Sequence, residues 1–242
     1  MFKKILVNKK VKDNINHITS KFPEADIFSI DQEDDIYDHI ENPREAKKIL
    51  HLSYLPGKFI KSCPGTDKSY RCCQYYIINE MTNCPLDCSY CILQFYLELP
   101  VITYYLNIDQ MLKELKDLAN QYPCRIIRVG TGELTDSLAL DKYFGTNSNI
   151  IREVESLPNV IFEVKTKTDK VDHLLSIAGE RAVFSWSVNP KEIISGEEHL
   201  TASLHVRLKA MEKVLQTSAK IGFHFDPIVF FDNWKNGYQQ LI

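Results

Sequence analysis

From about residue 58 onward, short apolar runs alternate with longer stretches in which apolar positions recur every three to four residues. The short runs predict strands at Tyr75–Asn79, Ile126–Val129, Val160–Lys165, Ala182–Ser187 and Ile221–Phe225. The longer stretches predict helices at Ile108–Gln121, Ser148–Ser156, Lys170–Gly179 and Thr201–Lys220, because a period of 3.6 lines one helical face. Strands alternating with helices of this length predict a parallel sheet joined by right-handed crossovers. In such sheets the chemistry gathers beyond the carboxyl ends of the strands. The segments Asn79–Gln94, Gly130–Asp136 and Ser187–Pro190 share that edge and form the candidate site.

The first 57 residues carry a smaller pattern. Lys3–Val7 and Ala25–Ile30 are strand-like, and Val11–Phe22 has helical spacing through Val11, Ile15 and Ile18. A polar run, Asp31–Asp38, precedes a helix expected over Pro43–Leu52, with Asn42 as its N-cap and proline at the first helical position. Tyr54-Leu55-Pro56-Gly57 is a turn signal. It divides an N-terminal α/β extension (1–57) from a core (58–242).

Composition narrows the class. The 242 residues are 44% hydrophobic and 25% charged, which excludes disordered and collagen-like chains. Twenty-nine basic against 32 acidic residues exclude coating of nucleic acid by bulk charge, though not a local basic groove. The start, MFKKILVNKKVKDN, has an apolar piece of only Ile5–Val7, well below the roughly 7–15 residues of a secretory signal. With no spanning segment of about 20 apolar residues, the expectation is a cytoplasmic protein without a membrane partner. Disulfides are disfavoured there, so the seven cysteines are expected to be ligands or reactive thiols.

Cys84-Pro-Leu-Asp-Cys88-Ser-Tyr-Cys91 follows the first core strand. Three chemistries suit it: buried core thiols, a zinc site completed by a distant Cys or His, or a [4Fe–4S] cluster held at three irons. In the last case the fourth iron is open, and an open position is where a substrate or cofactor binds.

The C-x₃-C-x-aromatic-C spacing on that loop resembles the signature of the radical SAM superfamily. Within it the chain resembles the spore photoproduct lyase family. Pro100–Asn107 leads into a helix as in that family, and Leu134-Thr135-Asp136 stands where the family has a Ser-Asp pair. Thr166-Lys167 with Val171-Asp172-His173-Leu174-Leu175, Phe184–Asn189, and Gly222-Phe223 with Pro227-Ile228 match further family patterns. The resemblance implies a partial parallel (β/α) barrel of the radical SAM type, here lacking its last strand. It also implies a [4Fe–4S] cluster and S-adenosylmethionine, cleaved to a 5′-deoxyadenosyl radical that abstracts hydrogen from substrate. The implied activity is that of a lyase repairing thymine photodimers, with damaged DNA and a reducing electron donor as partners.

Carried over residue by residue, the resemblance makes Cys84, Cys88 and Cys91 cluster ligands and sets Tyr90 against the adenine. Gly130-Thr131-Gly132-Glu133 corresponds to the element that meets the methionyl ammonium. Glycines there allow close backbone approach, and a carboxylate pairs with an ammonium. Thr135 joins the cofactor site, and Lys167 and Ser187 correspond to contacts of the methionine carboxylate. A cation and a hydroxyl suit that group. His173 is expected to be structural.

Two positions depart from the family. Its hydrogen-donating cysteine falls at Glu133, and the tyrosine after the third cluster cysteine falls at Ile92. No catalytic residue is assigned on that account. A radical SAM enzyme acting on another substrate, and a non-catalytic metal-binding nucleic-acid module, stand beside photodimer repair. A second cysteine group comprises Cys63, Cys72 and Cys73, with Lys58, Lys61, Lys68 and Arg71 among Tyr70, Tyr75 and Tyr76. It suits buried thiols on a solvated loop, a second metal site, a redox pair, or a phosphate-backbone contact. Cys124 precedes the second core strand and belongs to the opposite end.

Overall fold

Apolar residues at every second position of the core strands decide which face the helices cover. The computed structural model describes residues 2–11, 15–65, 69 and 74–242. The elements begin with β1 (Lys4–Asn8), α1 (Asn16–Thr19), β2 (Asp26–Ile30), β3 (Ile49–Ser53) and β4 (Ile60–Ser62). Then come β5 (Tyr75–Ile78), β6 (Met81–Thr82), α2 (Leu93–Tyr96), β7 (Ile102–Tyr105), α3 (Ile108–Gln121) and β8 (Ile127–Gly130). The chain continues through α4 (Asp141–Phe144), α5 (Thr146–Val154), β9 (Val160–Thr166) and β10 (Ala182–Ser187). The remaining elements are α6 (Lys191–Glu197), α7 (Leu204–Val214), β11 (Lys220–His224) and α8 (Trp234–Leu241).

The larger sheet runs β11-β10-β9-β8-β5-β4. It is parallel apart from the antiparallel pair β4–β5. The five strands expected for the core all appear in it, in chain order. Among the described residues β11 and β4 do not pair with each other, so the sheet is an open, partial barrel. Ile127, Val129, Phe162, Val164, Phe184 and Trp186 point outward and pack against α3 (Met111, Leu115), α5 (Ile150, Val154) and α7 (Met211, Val214). The inner face is polar, with Arg128, Ser185 and His224 gathered on Glu163.

The smaller sheet runs β2-β1-β3-β7-β6 and is parallel except between β6 and β7. Its last two strands lie beyond residue 57 and bracket the cysteine loop. The N-terminal extension and the core therefore share a sheet. No helix among the described residues is long and apolar enough to cross a membrane.

Several sequence expectations need correction. Pro43–Leu52, expected as one helix, splits into a 3₁₀ helix, Pro43–Lys48, and strand β3. All five residues of β3 are buried, His51 and Ser53 included, while Ala46, Ile49 and Leu50 at i, i+3 and i+4 fit a helical period as well. Lys170–Gly179 forms turns and a short 3₁₀ helix, Leu175–Ile177. Val171 and Leu174 are fully buried there at a spacing that one turn satisfies as well as a helix does. Of Val11–Phe22 the described helical part is only α1. Helix α7 starts later than Thr201, where the Ser203 side chain accepts from the Val206 N–H and caps it. Pro100–Asn107 contains strand β7, for which the sequence offered no alternation.

Candidate functional site

Beyond the carboxyl ends of the core strands lies a cavity of ≈ 360 Å³. All nine residues nominated for cluster or cofactor line it: Cys84, Cys88, Tyr90, Cys91, Gly132, Glu133, Thr135, Lys167 and Ser187. They arrive from three strand ends and one loop.

The cysteine loop is shaped by residues that tolerate left-handed backbone. Asn83 has φ 69° and Asp87 φ 52°, and short polar side chains adopt this region more readily than others. Asn83 Nδ2 donates to the Pro100 carbonyl at 2.8 Å and its Oδ1 accepts from the Cys84 N–H at 2.9 Å, tying the two ends of the loop. Gln94 Nε2 donates to the Cys88 carbonyl at 2.7 Å. Burial, and then the charge of Asp136, pushes the Cys84 thiol up to about 12; burial pushes Cys88 up to about 11. Such thiols keep their protons until a metal takes the proton's place. Among the described residues no three His, Cys, Asp or Glu side chains converge to hold a single metal ion. A tetrahedral zinc ion needs its ligands around one point. A cubane takes thiolate donors at its irons, and the three thiols in the wall of one cavity are donors of that kind.

Gly130 ends β8 and Gly132 stands in the loop after it, and the two glycines have different tasks. Gly132 has φ 96° and lines the cavity; a Cβ there would meet Ser137 Oγ at 2.7 Å. Gly130 stands outside the cavity wall and makes room for Tyr75 instead: an added Cβ would lie 1.8 Å from the Tyr75 hydroxyl oxygen and 2.7 Å from the Glu163 carbonyl. Tyr75 is hydrogen-bonded to Glu163, and burial followed by that carboxylate raises the phenol above its ordinary value. Although burial opposes it, hydrogen bonds from His224 (2.9 Å) and Ser185 (2.5 Å) hold the Glu163 carboxyl down at about 2. Because a phenol so anchored resists displacement, Gly130→Ala is expected to lower stability by about 2–3 kcal/mol, as overpacking does. Urea unfolding measures it, and an unchanged midpoint would show that Tyr75 swings aside freely.

Asp136 organises the same edge, a role the sequence did not reveal. Its Oδ1 accepts from the Leu138 and Ala139 N–H groups and the Thr166 hydroxyl, and its Oδ2 accepts from the Lys167 N–H at 2.7 Å. Lys167 is thereby fixed, with its ammonium 5.9 Å from the centre of the Tyr90 ring. The Thr135 hydroxyl turns away to Met81 Sδ at 3.7 Å, so this residue contributes wall and not an obvious ligand. Lys165 and Asp226 also line the cavity and were not foreseen; Lys165 was legible as an inward neighbour of Glu163 in period two. Glu133 is exposed, and Ile92, 69% exposed, stands on the rim.

The other candidates lie elsewhere. His173 Nε2 sits 2.7 Å from Asp141 Oδ2, away from the cavity wall. Cys124 is exposed ahead of β8, at the opposite end of the sheet. Cys63 is half-buried, while Lys68, Tyr70, Arg71, Cys72 and Cys73 lie outside the described residues.

The spore photoproduct lyase family model matches residues 35–242. The spore photoproduct lyase of a Geobacillus strain is 30% identical over 201 residues, covering 82% of this chain and 57% of the relative. That of Clostridium acetobutylicum is 23% identical over 169 residues, covering 69% of this chain and 50% of the relative. The chain thus spans about half the length of these curated relatives. Among solved structures, a spore photoproduct lyase variant with bound AdoMet and dinucleoside spore photoproduct superposes with a TM-score of 0.86 at 23% identity. The superposition covers the whole of this chain and 72% of that one. A second structure, complexed with the dinucleoside photoproduct, matches equally well. At that identity these likenesses speak for the fold alone, a partial barrel. With a family match across most of its length, and the C-x₃-C-x-aromatic-C loop in the wall of the cavity, the chain belongs to the spore photoproduct lyase family.

Proposed function

We propose that the protein is a radical SAM lyase whose cavity binds a [4Fe–4S] cluster on Cys84, Cys88 and Cys91 and S-adenosylmethionine beside it. When bound, the cluster supplies the electron that cleaves S-adenosylmethionine to a hydrogen-abstracting radical. The observation that carries this reading is the meeting of all nine nominated residues in one cavity wall. There the exposed Glu133 carboxylate is suited to the methionyl ammonium, and Lys167 and Ser187 to the carboxylate. Tyr90 offers a ring for the adenine. The flanking Leu86 and Leu93 side chains help keep water from the reacting centre.

The favoured substrate is a thymine photoproduct in DNA, supported by what the named relatives act on. A one-electron reductant is the required partner, and the free thiols suit a reducing cytoplasm. One observation favours a second reading, the same radical chemistry on another substrate. The wall carries Glu133 and Ile92, a carboxylate and an alkyl group, at the positions where the resemblance places hydrogen donors. Anaerobic assay for 5′-deoxyadenosine, with and without lesion-containing oligonucleotide, tests both. Deoxyadenosine together with restored thymines is the expected result. Deoxyadenosine without thymine release transfers the assignment to another substrate, and no deoxyadenosine with a reduced cluster overturns the radical reading.

A further inference from the structure

A buried ion pair sits directly behind the cysteine loop. Arg207 of α7 contacts Glu198, in the segment after α6, and neither side chain has any solvent exposure. Two charges taken out of water are costly unless their donors and acceptors are all engaged. Arg207 donates to the carbonyls of Ser187 (2.7 Å) and Ala202 (2.8 Å) and to the Thr201 hydroxyl (2.7 Å). Glu198 Oε1 accepts from the Tyr90 hydroxyl at 2.5 Å and from Asn189 Nδ2 at 3.0 Å. Burial works against its charge, and Arg207 with these donors keeps it ionised.

The backbone repeats the same attachment. Cys88 bridges to Glu198, the Ser89 N–H donates to the Glu197 carbonyl at 2.9 Å, and the Leu200 N–H donates to the Leu86 carbonyl at 3.1 Å. Ser89 Oγ shares a hydrogen bond with His199 Nε2 at 2.8 Å. Asn189 accepts from the Tyr238 hydroxyl of α8 at 2.6 Å, so the network runs on to the last helix. Glu198 and Arg207 do not line the cavity, yet the groups they hold, Tyr90 and Ser187, both do.

We infer that Glu198 and Arg207 are positioning residues for the cofactor site. They fix the Tyr90 ring and the turn between Cys88 and Cys91 in one arrangement, with Glu198 acting through the Tyr90 hydroxyl and Arg207 through Glu198 and the Ser187 carbonyl. The inference rests on the ligand assignment proposed above. A pair serving stability alone would be replaceable by packed apolar side chains. Here one carboxylate oxygen is committed to a ring in the cavity wall.

The test uses the full chain with its cluster reconstituted anaerobically, and reads iron per chain, S-adenosylmethionine affinity by equilibrium dialysis, and the EPR change on its addition. Tyr90→Phe deletes only the hydroxyl and leaves the ion pair intact. Glu198→Gln keeps the shape and removes the charge. Each is expected to retain iron and to weaken S-adenosylmethionine binding about tenfold, as loss of a hydrogen bond to a charged group does. The double variant is expected to bind no more weakly than the weaker single one, since both break one linkage. Affinity within about twofold of the parent in Tyr90→Phe, or losses that multiply in the double variant, overturn the inference. Should Glu198→Gln fail to fold, Tyr90→Phe alone decides. A parent chain that takes up no iron refutes the ligand assignment, a separate outcome visible before any variant is made.

Discussion

Cys88→Ala is expected to leave the protein folded but unable to hold iron. The parent, reconstituted anaerobically, should carry about four irons per chain, as one cubane requires. The variant should fall to a small fraction of that. Two thiolates cannot hold the cluster at three corners, and no described cysteine can substitute: Cys63 is outside the cavity wall and Cys124 lies at the other end of the sheet. Folding should survive because the Cys88 backbone remains attached through Glu198 and Gln94. Removing one small buried sulfur costs about 1 kcal/mol, by analogy with other minor core truncations. Iron and sulfide analysis alongside circular dichroism separates these effects. Full iron content in the variant would refute the ligand assignment.

The second large effect concerns pH. Stability is expected to fall as pH rises from about 5 to 9, and Glu80→Gln to remove most of that fall. Glu80, between β5 and β6, is 4% exposed, and among the described residues its Oε2 has no hydrogen-bond partner. Burial above all, and then nearby Asp141, raises its carboxyl from the ordinary 4.5 to about 8. The folded protein then keeps a proton that the unfolded chain has released. The associated stability is complete below the unfolded value and disappears as pH climbs through about 8. A displacement of that size corresponds to on the order of 5 kcal/mol. Glu163 works in the opposite direction. Its carboxyl is held at about 2, so its contribution is present above pH 4.5 and lost as pH falls toward 2. Urea unfolding across a pH series tests the pair of claims, and an alkaline slope unchanged by Glu80→Gln would sink the first.

What the sequence disclosed, and what it concealed, follows from the range of each signal. The cysteine spacing, the glycines at the end of β8 and the alternating strands are local, and they led to a cavity lined by the three cysteines, Tyr90, Gly132, Glu133, Thr135, Lys167 and Ser187. Strand β3 was hidden because Ala46, Ile49 and Leu50 fall at i, i+3 and i+4, a spacing that reads as a helix continuing from Pro43. Strand β6, two residues long, exists only as the partner of β7. The role of Asp136 depends on a loop that folds back on the Lys167 backbone across 31 positions. Tyr90 meets Glu198 across 108 positions. Arg207 on α7 has the sequence appearance of a solvated helix position, and only the tertiary fold takes it fully out of water.

The shared sheet has one further consequence. The cysteine loop leaves the smaller sheet after Thr82 and returns to it at Ile102, and these two strands are antiparallel neighbours with Thr82 opposite Thr103. The ends of the intervening segment therefore lie about 5 Å apart, one strand spacing. Topologically the cysteine-bearing segment is an insert in a hairpin whose stem is already closed. Loop-closure entropy rises slowly with length, so the stem tolerates a long excursion almost as well as a short turn. The stem thus fixes where the loop leaves and re-enters the sheet, and the length of chain between those points is left to the contacts the loop itself makes.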